Sequence, residues 1–377
     1  MNKLLKRAHY VPAVVLLAYV ALLALMTIPA IQREFLFLHH VPIPLLPDFD
    51  SPENYGLGPF KTRNLRLNTS DGVEIGAWHV LPRSVYQSLN PFPPDSLPGD
   101  ELFEHALTQR PTIIYFHGNA GTRAVSHRVR SYSAFSTNLD CNVLVIDYRG
   151  FGDTTGRPTE EGLIIDARTA YNYVANSLGK AGLTKDEIQD MIILAGQSLG
   201  TGVVSGLAGQ LASEGIKPRA LVLIAPFSSV TELIVSYRLL KVIPLLGPLA
   251  IFPAAQRGSD LFHNNCIIGF FQTFLLHPFN SVKALEQTSS PTLLLHAIND
   301  NTIPYSHSAR LFSSLLHSAS LTEGFVHETS YKGWGTVRSI DRGEKGEVIW
   351  WEGQNGGHDN LGWAEGTIDL IARVAKL

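Results

Sequence analysis

Six short apolar runs alternate with helical patterns along this chain, and that alternation restricts the possible folds more than any other sequence feature. The apolar runs cover residues 111–116, 142–146, 191–195, 220–225, 292–296 and 347–351. Helical patterns lie between most of them, at residues 126–138, 160–178, 200–214 and 306–318. Continuous apolar strands that alternate with helices are typical of a parallel sheet covered on both faces. We therefore predict one α/β domain, preceded by a β-hairpin at residues 62–81.

Composition excludes several classes of protein. A net charge of −3 over 377 residues removes the electrostatic reason to expect a nucleic-acid partner. Hydrophobic residues make up 45% of the chain and charged residues 17%, the opposite of the bias in disordered proteins. The two cysteines are too few for a disulfide framework and lie in no zinc-binding pattern, so we expect no metal.

The N-terminal segment from Val11 to Ile31 carries no charged residue. Its length as one helix would match the roughly 30 Å hydrocarbon core of a bilayer. Basic residues precede it, so the positive-inside rule predicts a cytosolic N-terminus (residues 1–10) and a single transmembrane anchor (11–31). A cleaved secretory signal is the alternative, which the length of the apolar run disfavours.

This topology places the rest of the chain in a lumen or outside the cell. We predict a single-pass protein of the endoplasmic reticulum membrane with a lumenal domain. The sequence Asn68-Thr69-Ser70 is a glycosylation signal that only such a domain would use, so Asn68 is a candidate glycosylation site.

Residues 231–278 depart from the strand–helix alternation. They are rich in Leu, Ile and Phe, and Pro244, Pro248 and Pro253 would break them into short helices. We interpret this segment as a helical cap that forms an acyl-chain pocket or dips into a bilayer surface. An ordinary buried insertion is the alternative.

The run Gly196-Gln197-Ser198-Leu199-Gly200 lies between a predicted strand and a predicted helix. A G-x-S-x-G motif in that context is a nucleophile elbow, in which a tight turn exposes the serine and leaves no room for side chains at the glycines. Ser198 is therefore the candidate nucleophile, and Gly196 and Gly200 are the elbow glycines.

A serine that attacks a carbonyl group needs two backbone N–H groups to stabilise the oxyanion. We predict that Leu199 supplies one and that Asn119, in the glycine-rich loop after the strand at 112–116, supplies the other. His117, in the same loop, precedes Ser198 in the chain and is interpreted as a loop-shaping residue. Asp147 and Arg149 are expected to form a structural ion pair.

A base and an acid should follow the elbow in the order Ser, Asp, His. Asp300 stands just after the apolar strand at 292–296, and His358 follows the strand at 347–351. We assign Asp300 as the acid and His358 as the base, with Asp359 as the rival acid. We expect the histidines without a strand-end position to be ordinary surface or core residues: His263, His277 and His307.

Five segments, HGNAG, DYRGFGDT, GQSLG, HAINDNTIP and GGHDN, occur in this order. Together they resemble the serine hydrolases of the α/β-hydrolase superfamily, above all the membrane-anchored α/β-hydrolase domain-containing protein twelve group. The resemblance covers roughly residues 60–377. It implies an α/β-hydrolase fold with a cap insertion, hydrolysis of lysophosphatidylserine or monoacylglycerol, and no cofactor. A polar, Gly-rich insertion at 331–346 and the composition of the cap depart from the pattern.

These features predict a membrane-anchored serine hydrolase that cleaves carboxylic esters of lipids through an acyl-enzyme. A protein S-acyl thioesterase is one alternative, and it would suit a cytosolic domain better. A non-catalytic hydrolase-like binding protein is another, although such a protein has no need of three dispersed catalytic residues.

Overall fold

The computed structural model describes residues 10–236, 238–239, 243–244 and 275–377. Its strands are β1 (Thr62–Asn68), β2 (Glu74–Val80), β3 (Thr112–Phe116), β4 (Asn142–Ile146), β5 (Ile192–Gln197), β6 (Ala220–Ile224), β7 (Arg238–Leu239), β8 (Ile243–Pro244), β9 (Thr292–Ala297), β10 (His327–Tyr331), β11 (Gly335–Asp341) and β12 (Glu347–Gly353). All except the β7–β8 ribbon join one ten-stranded sheet in the order β1-β2-β4-β3-β5-β6-β9-β12-β11-β10.

The centre of this sheet, from β4 to β12, is parallel, and both edges are antiparallel. The central strands β3, β4, β5, β6 and β9 are buried along their whole length. This explains why they read as continuous apolar runs, since a parallel strand covered on both faces has no solvent side. The predicted α/β fold with a mostly parallel sheet is confirmed, and so are the β1–β2 hairpin and the predicted strand positions.

The helices are α1 (Tyr10–Leu25), α2 (Pro29–Phe37), α3 (Arg83–Gln87), α4 (Asp100–Gln109), α5 (Ser126–Asn138), α6 (Glu160–Lys180), α7 (Lys185–Asp190), α8 (Leu199–Ser213), α9 (Val230–Ser236), α10 (Ser281–Glu286), α11 (Ser306–Ser318) and α12 (Glu365–Ala375). One face of the sheet packs against α6, α8 and α11, which contribute Leu163, Val203 and Leu311 to that core. The opposite face packs against α5 and α12, through residues such as Val129 and Ile371.

The polar insertion at 331–346 takes part in regular structure. It supplies the end of β10 and all of β11, which extend the sheet as an antiparallel hairpin beside β12. No apolar run marks β10, because all five of its residues are exposed at the sheet edge. Arg338 on β11 is 2.7 Å from Glu328 and 3.0 Å from Glu352, so ion pairs with both neighbouring strands take the place of apolar contacts.

The predicted anchor is divided into two helices. α1 ends at Leu25 and α2 begins at Pro29, whose ring fits the first turn of a helix. No single helix among the described residues is long and apolar enough to span a membrane, but α1 and α2 together meet the criteria of length and composition with a bend of 92° between them. Residues 1–9 of the predicted cytosolic segment lie outside the described residues.

Most of the predicted cap, residues 231–278, also lies outside the described residues. The described parts are α9, which runs up to Ser236, the short β7–β8 ribbon, and the segment from Leu275 onward. The ribbon is a difference from the expected short helices.

Candidate active site

Ser198 stands at the turn between β5 and α8, with φ at +52° and ψ at −119°. A residue other than glycine with positive φ has a strained backbone, at a cost of about 1–3 kcal/mol, and such residues cluster at functional sites. Two backbone hydrogen bonds hold the turn, from the Ser198 N–H to Ile224 O at 3.0 Å and from the Thr201 N–H to Ser198 O at 2.9 Å. The geometry is that of a strained strand–helix elbow.

The two elbow glycines make room for this turn. A Cβ atom at Gly196 would lie 2.3 Å from the Gly200 carbonyl oxygen. A Cβ atom at Gly200 would lie 1.9 Å from the carbonyl oxygen of Phe116, the last residue of β3. These distances are far inside van der Waals contact, so both positions require glycine.

The loop that follows β3 lies against Ser198. A Cβ atom at Gly118 would be 3.3 Å from the Ser198 Cβ. Among the described residues, the N–H groups of Asn119 and Leu199 donate no hydrogen bond. Two backbone donors next to the serine are therefore available, which is the requirement for an oxyanion hole.

Arg128 of α5 holds the carbonyl side of this loop. Its guanidinium donates to Gly118 O at 3.1 Å, Asn119 O at 2.9 Å and Ala120 O at 2.8 Å, and also to Thr122 O at 2.9 Å. The side chain is 3% exposed. Sequence reasoning missed Arg128, because a lone arginine in a helical pattern gives no sign that it bonds four carbonyls of another loop.

His358 and Asp300 are directly bonded. His358 Nδ1 lies 2.8 Å from Asp300 Oδ2. Burial disfavours the charged form of Asp300, but hydrogen bonds from His296 and His358 outweigh it and hold the pKa of this carboxyl well below its usual range. The Thr302 and Ile303 N–H groups bond Oδ1 at 2.7 and 3.0 Å. Asp300 is thus an ionised carboxylate fixed to face one ring nitrogen of His358.

Gln197 connects the His358 loop to the elbow. Its Nε2 donates to His358 O at 3.2 Å and to Asp359 Oδ1 at 3.0 Å. The exposed carboxylate of Asp359 therefore binds Gln197, whereas the carboxylate bonded to the His358 ring is that of Asp300. This contact favours Asp300 over Asp359 as the acid. Asn299 holds the same loop by accepting from the Gly357 N–H at 2.8 Å.

His117, in the loop after β3, and Asp147, in the loop after β4, are both buried. The His117 ring lies 3.1 Å from Asp147, and burial lowers the pKa of this histidine. Its carbonyl accepts from the Tyr148 hydroxyl at 2.9 Å, the contact of a loop-shaping residue.

The expected ion pair between Asp147 and Arg149 is wrong, although both residues form structural ion pairs with other partners. Asp147 binds Arg123 at 2.5 Å. Arg149 binds Asp71 at 2.6 Å and Asp166 at 2.8 Å, which ties the β1–β2 turn to α6. Sequence proximity suggested a single pair, whereas the loop after β4 directs these two side chains to different neighbours.

The other candidate residues lie apart from this cluster. His277 and His307 are buried core residues, as predicted, and His263 is outside the described residues. Asn68 is exposed at the end of β1. Among the described residues, one group could hold a metal: ligand atoms of Glu34, His39 and His40 lie within 4.8 Å of one another.

Comparisons with known proteins identify the family of this chain. A family model described as serine aminopeptidase S33 matches residues 108–331. The lysophosphatidylserine lipase ABHD12 of Danio rerio is 31% identical over 294 residues, covering 78% of this chain and 68% of that protein. The Rattus norvegicus protein of the same name is 32% identical over 318 residues, covering 81% and 71%. The chain belongs to the α/β-hydrolase superfamily.

A solved structure supports the fold of this α/β-hydrolase. An esterase from Pyrococcus furiosus superposes with a TM-score of 0.51 at 13% identity, covering 89% of this chain and 97% of the esterase. Protein ABHD12B of Homo sapiens is 33% identical over 274 residues, covering 71% of this chain and 65% of that protein. The relatives named lysophosphatidylserine lipase, together with the family model, identify the chain as a carboxylic ester hydrolase.

Proposed function

We propose that this chain is a membrane-anchored serine hydrolase that cleaves carboxylic esters of lipids through a Ser198–His358–Asp300 triad. The observation that carries the proposal is the 2.8 Å bond from His358 Nδ1 to an ionised Asp300. The loop that holds His358 is in turn bonded to the Ser198 elbow through Gln197. A carboxylate that accepts from Nδ1–H fixes the tautomer in which Nε2 is free to accept a proton.

Acylation would begin when His358 Nε2 takes the Ser198 hydroxyl proton and Ser198 Oγ attacks the ester carbonyl. The carbonyl π electrons move to oxygen, and the N–H groups of Asn119 and Leu199 bind the resulting oxyanion. Collapse of the tetrahedral intermediate breaks the bond to the alcohol. The alcohol leaves with the proton from His358, and the acyl group remains on Ser198.

Deacylation repeats these steps with water. His358 takes a proton from the attacking water, the oxyanion forms against the same two N–H groups, and Ser198 leaves as the protonated alcohol. Throughout the cycle the negative charge of Asp300 stabilises the imidazolium that forms twice. The cycle uses side chains and backbone donors of this chain alone.

A fluorophosphonate probe tests the nucleophile. We expect wild-type protein to be labelled and Ser198→Ala to be unlabelled. Ser228→Ala is the matched control, because Ser228 also contacts a histidine, with its Oγ 2.7 Å from His307 Nδ1 and a hydrogen bond to Glu232. Equal labelling of wild type and Ser198→Ala would overturn the triad.

Arg128→Lys tests the loop after β3, residues 117–122, which we refer to as the oxyanion loop. Lysine has three donors on one nitrogen and cannot reproduce the forked contact with four carbonyls. We expect kcat for a soluble ester to fall about 10- to 100-fold with little change in KM, because the oxyanion forms only after binding and loss of one donor costs about 10²–10³.

Arg130→Lys is the matched control for Arg128→Lys, since Arg130 is exposed on the same helix. It should leave kcat unchanged. If Arg128→Lys lowered thermal stability without lowering kcat, Arg128 would be a structural residue only.

The names of the relatives support the proposed lipid class. Two of those described above are named lysophosphatidylserine lipase, so we propose a lysophospholipid or monoacylglycerol as the substrate. Incubation of the purified chain with a lysophosphatidylserine, a monoacylglycerol and an S-acylated peptide separates these from a thioesterase. Release of fatty acid from the peptide alone would contradict the lipid assignment.

We further propose that the apolar N-terminal helices anchor the chain and leave the hydrolase domain in the lumen of the endoplasmic reticulum. The uncharged α1 supports this, and the exposed Asn68 is accessible for glycosylation. Protease treatment of intact microsomes should leave the domain uncut, and glycosidase treatment should increase the mobility of wild type but not of Asn68→Gln. Digestion of the domain in intact microsomes would reverse the topology.

A further inference from the structure

The segment between α1 and the hydrolase domain has two different faces. Phe37, at the end of α2, is fully buried, with its ring 5.3 Å from that of His277 and 6.3 Å from that of Phe279. Six other large apolar side chains of this segment are exposed: Phe35 45%, Leu38 39%, Val41 39%, Ile43 47%, Leu45 74% and Leu46 88%. We refer to residues 35–46 as the apolar ledge.

The apolar ledge has the composition of a surface that contacts lipid. No aspartate, glutamate, lysine or arginine occurs between Glu34 and Asp48. Exposed apolar side chains scattered singly are normal in soluble proteins, but here six large ones occur within residues 35–46, where His40 is the one exposed polar side chain. A concentration of this kind marks an interaction site. The ledge follows α1 in the chain after nine residues that include the charged Arg33 and Glu34. α1 itself has no charged residue and is also largely exposed, with Leu17 at 69%.

The bend between the two helices sets the orientation of α2, and the ledge begins in the last turn of that helix. α1 and α2 meet at 92°. If α1 runs along the membrane normal, a helix perpendicular to it lies in the plane of the membrane surface. Helices in that position bury one apolar face among the headgroups and acyl chains while the opposite side contacts the protein.

The apolar ledge is also bonded to the oxyanion loop. Three successive N–H groups of that loop donate to its carbonyls: Ala120 to Phe37 O at 2.9 Å, Gly121 to Val41 O at 3.2 Å, and Thr122 to Ile43 O at 3.0 Å. Arg128 binds the carbonyls of the same loop, so the loop is held from both sides. A lipid surface against the ledge would therefore lie close to Ser198.

We propose that the apolar ledge rests in the interfacial layer of a lipid bilayer and holds the oxyanion loop at that surface, so that the ester reaches Ser198 from the membrane. The proposal rests on the membrane anchoring proposed above. It assigns the ledge a role beyond linking the anchor to the enzyme, because its side chains contact lipid while its backbone positions a part of the active site.

Depth-dependent fluorescence quenching tests the proposal. The full-length chain, with Cys141 and Cys266 replaced by alanine, is labelled with an environment-sensitive fluorophore at Leu46→Cys and reconstituted in phosphatidylcholine vesicles containing brominated lipid. We expect the bromines to quench this label. The matched control is Leu97→Cys, which replaces an exposed leucine (48%) in the loop between α3 and α4, and its label should keep its intensity.

A third label, at Leu17→Cys in α1, separates the possible failures. Quenching at Leu17 without quenching at Leu46 would overturn the ledge proposal and leave the anchor in place. Absence of quenching at both Leu17 and Leu46 would overturn the membrane anchoring as well as the ledge proposal. Equal quenching at Leu46 and Leu97 would show that the ledge is not a distinct lipid contact. Fluorophosphonate labelling of the same vesicles reports the hydrolase activity independently of all three.

Discussion

Asp300→Asn is expected to lower kcat by about 10⁴, the size of effect found when a triad carboxylate is replaced by an amide. The asparagine side chain is nearly the same size, so the loop should keep its shape. Its NH₂ group, however, can face His358 Nδ1 as a donor and stabilise the wrong tautomer. The imidazolium would also lose the charge that Asp300 supplies, because the wild-type carboxyl is ionised.

Asp359→Asn is the matched control for Asp300→Asn, because it makes the same chemical change at the neighbouring residue of His358. Asp359 accepts from Gln197 and is exposed, so we expect a small effect on kcat. Steady-state kinetics with a soluble ester, together with thermal unfolding of both variants, make the comparison. A larger loss of kcat in Asp359→Asn than in Asp300→Asn would reverse the assignment of the acid.

The features that could be predicted from the sequence are those with a local signal. The central strands are buried on both faces, so each reads as an apolar run, and α5 and α11 have the bounds that their patterns predict. The elbow could be recognised because the glycines, the serine and the flanking strand and helix are contiguous. Asp300 and His358 could be located because each follows a strand whose carboxyl end lies at the same sheet edge as Ser198.

The residues that hold the site in place could not be predicted. Gln197 is an unspecified position of the elbow motif, and its partners lie 161 and 162 residues away. Arg128 acts through backbone carbonyls, which leave no trace in side-chain identity. In both cases the contact depends on how separate loops pack, and no sequence pattern reports that.

The division of the predicted anchor has a similar explanation. Hydropathy reports only that residues 11–31 are apolar, and it cannot distinguish one straight helix from two perpendicular ones. Pro29 was the local signal, since proline is well tolerated in the first turn of a helix but disrupts its interior. The bend it marks changes the reading of this segment, because residues after Leu25 no longer continue the direction of α1.

Gly200→Ala is expected to destabilise the protein by about 3 kcal/mol or more and to abolish activity, because its new methyl group overlaps another backbone. Helix propensity alone predicts that Gly200→Ala would stabilise the protein, since alanine in a helix is favoured over glycine by about 1 kcal/mol. The 1.9 Å approach to Phe116 O decides between these effects. Relief of that overlap must move α8 away from β3, and with it Ser198 and the Leu199 N–H.

Gly179→Ala provides the control for Gly200→Ala in another helix, α6. A Cβ atom at Gly179 would meet nothing nearer than Ile188 Cδ1 at 3.8 Å, an ordinary contact. We expect this variant to gain about 0.5–1 kcal/mol. Urea unfolding and fluorophosphonate labelling of both variants measure stability and the elbow separately. If Gly200→Ala were as stable and as reactive as Gly179→Ala, the close contact between α8 and β3 would not exist in the protein, and the elbow geometry proposed for Ser198 would fail with it.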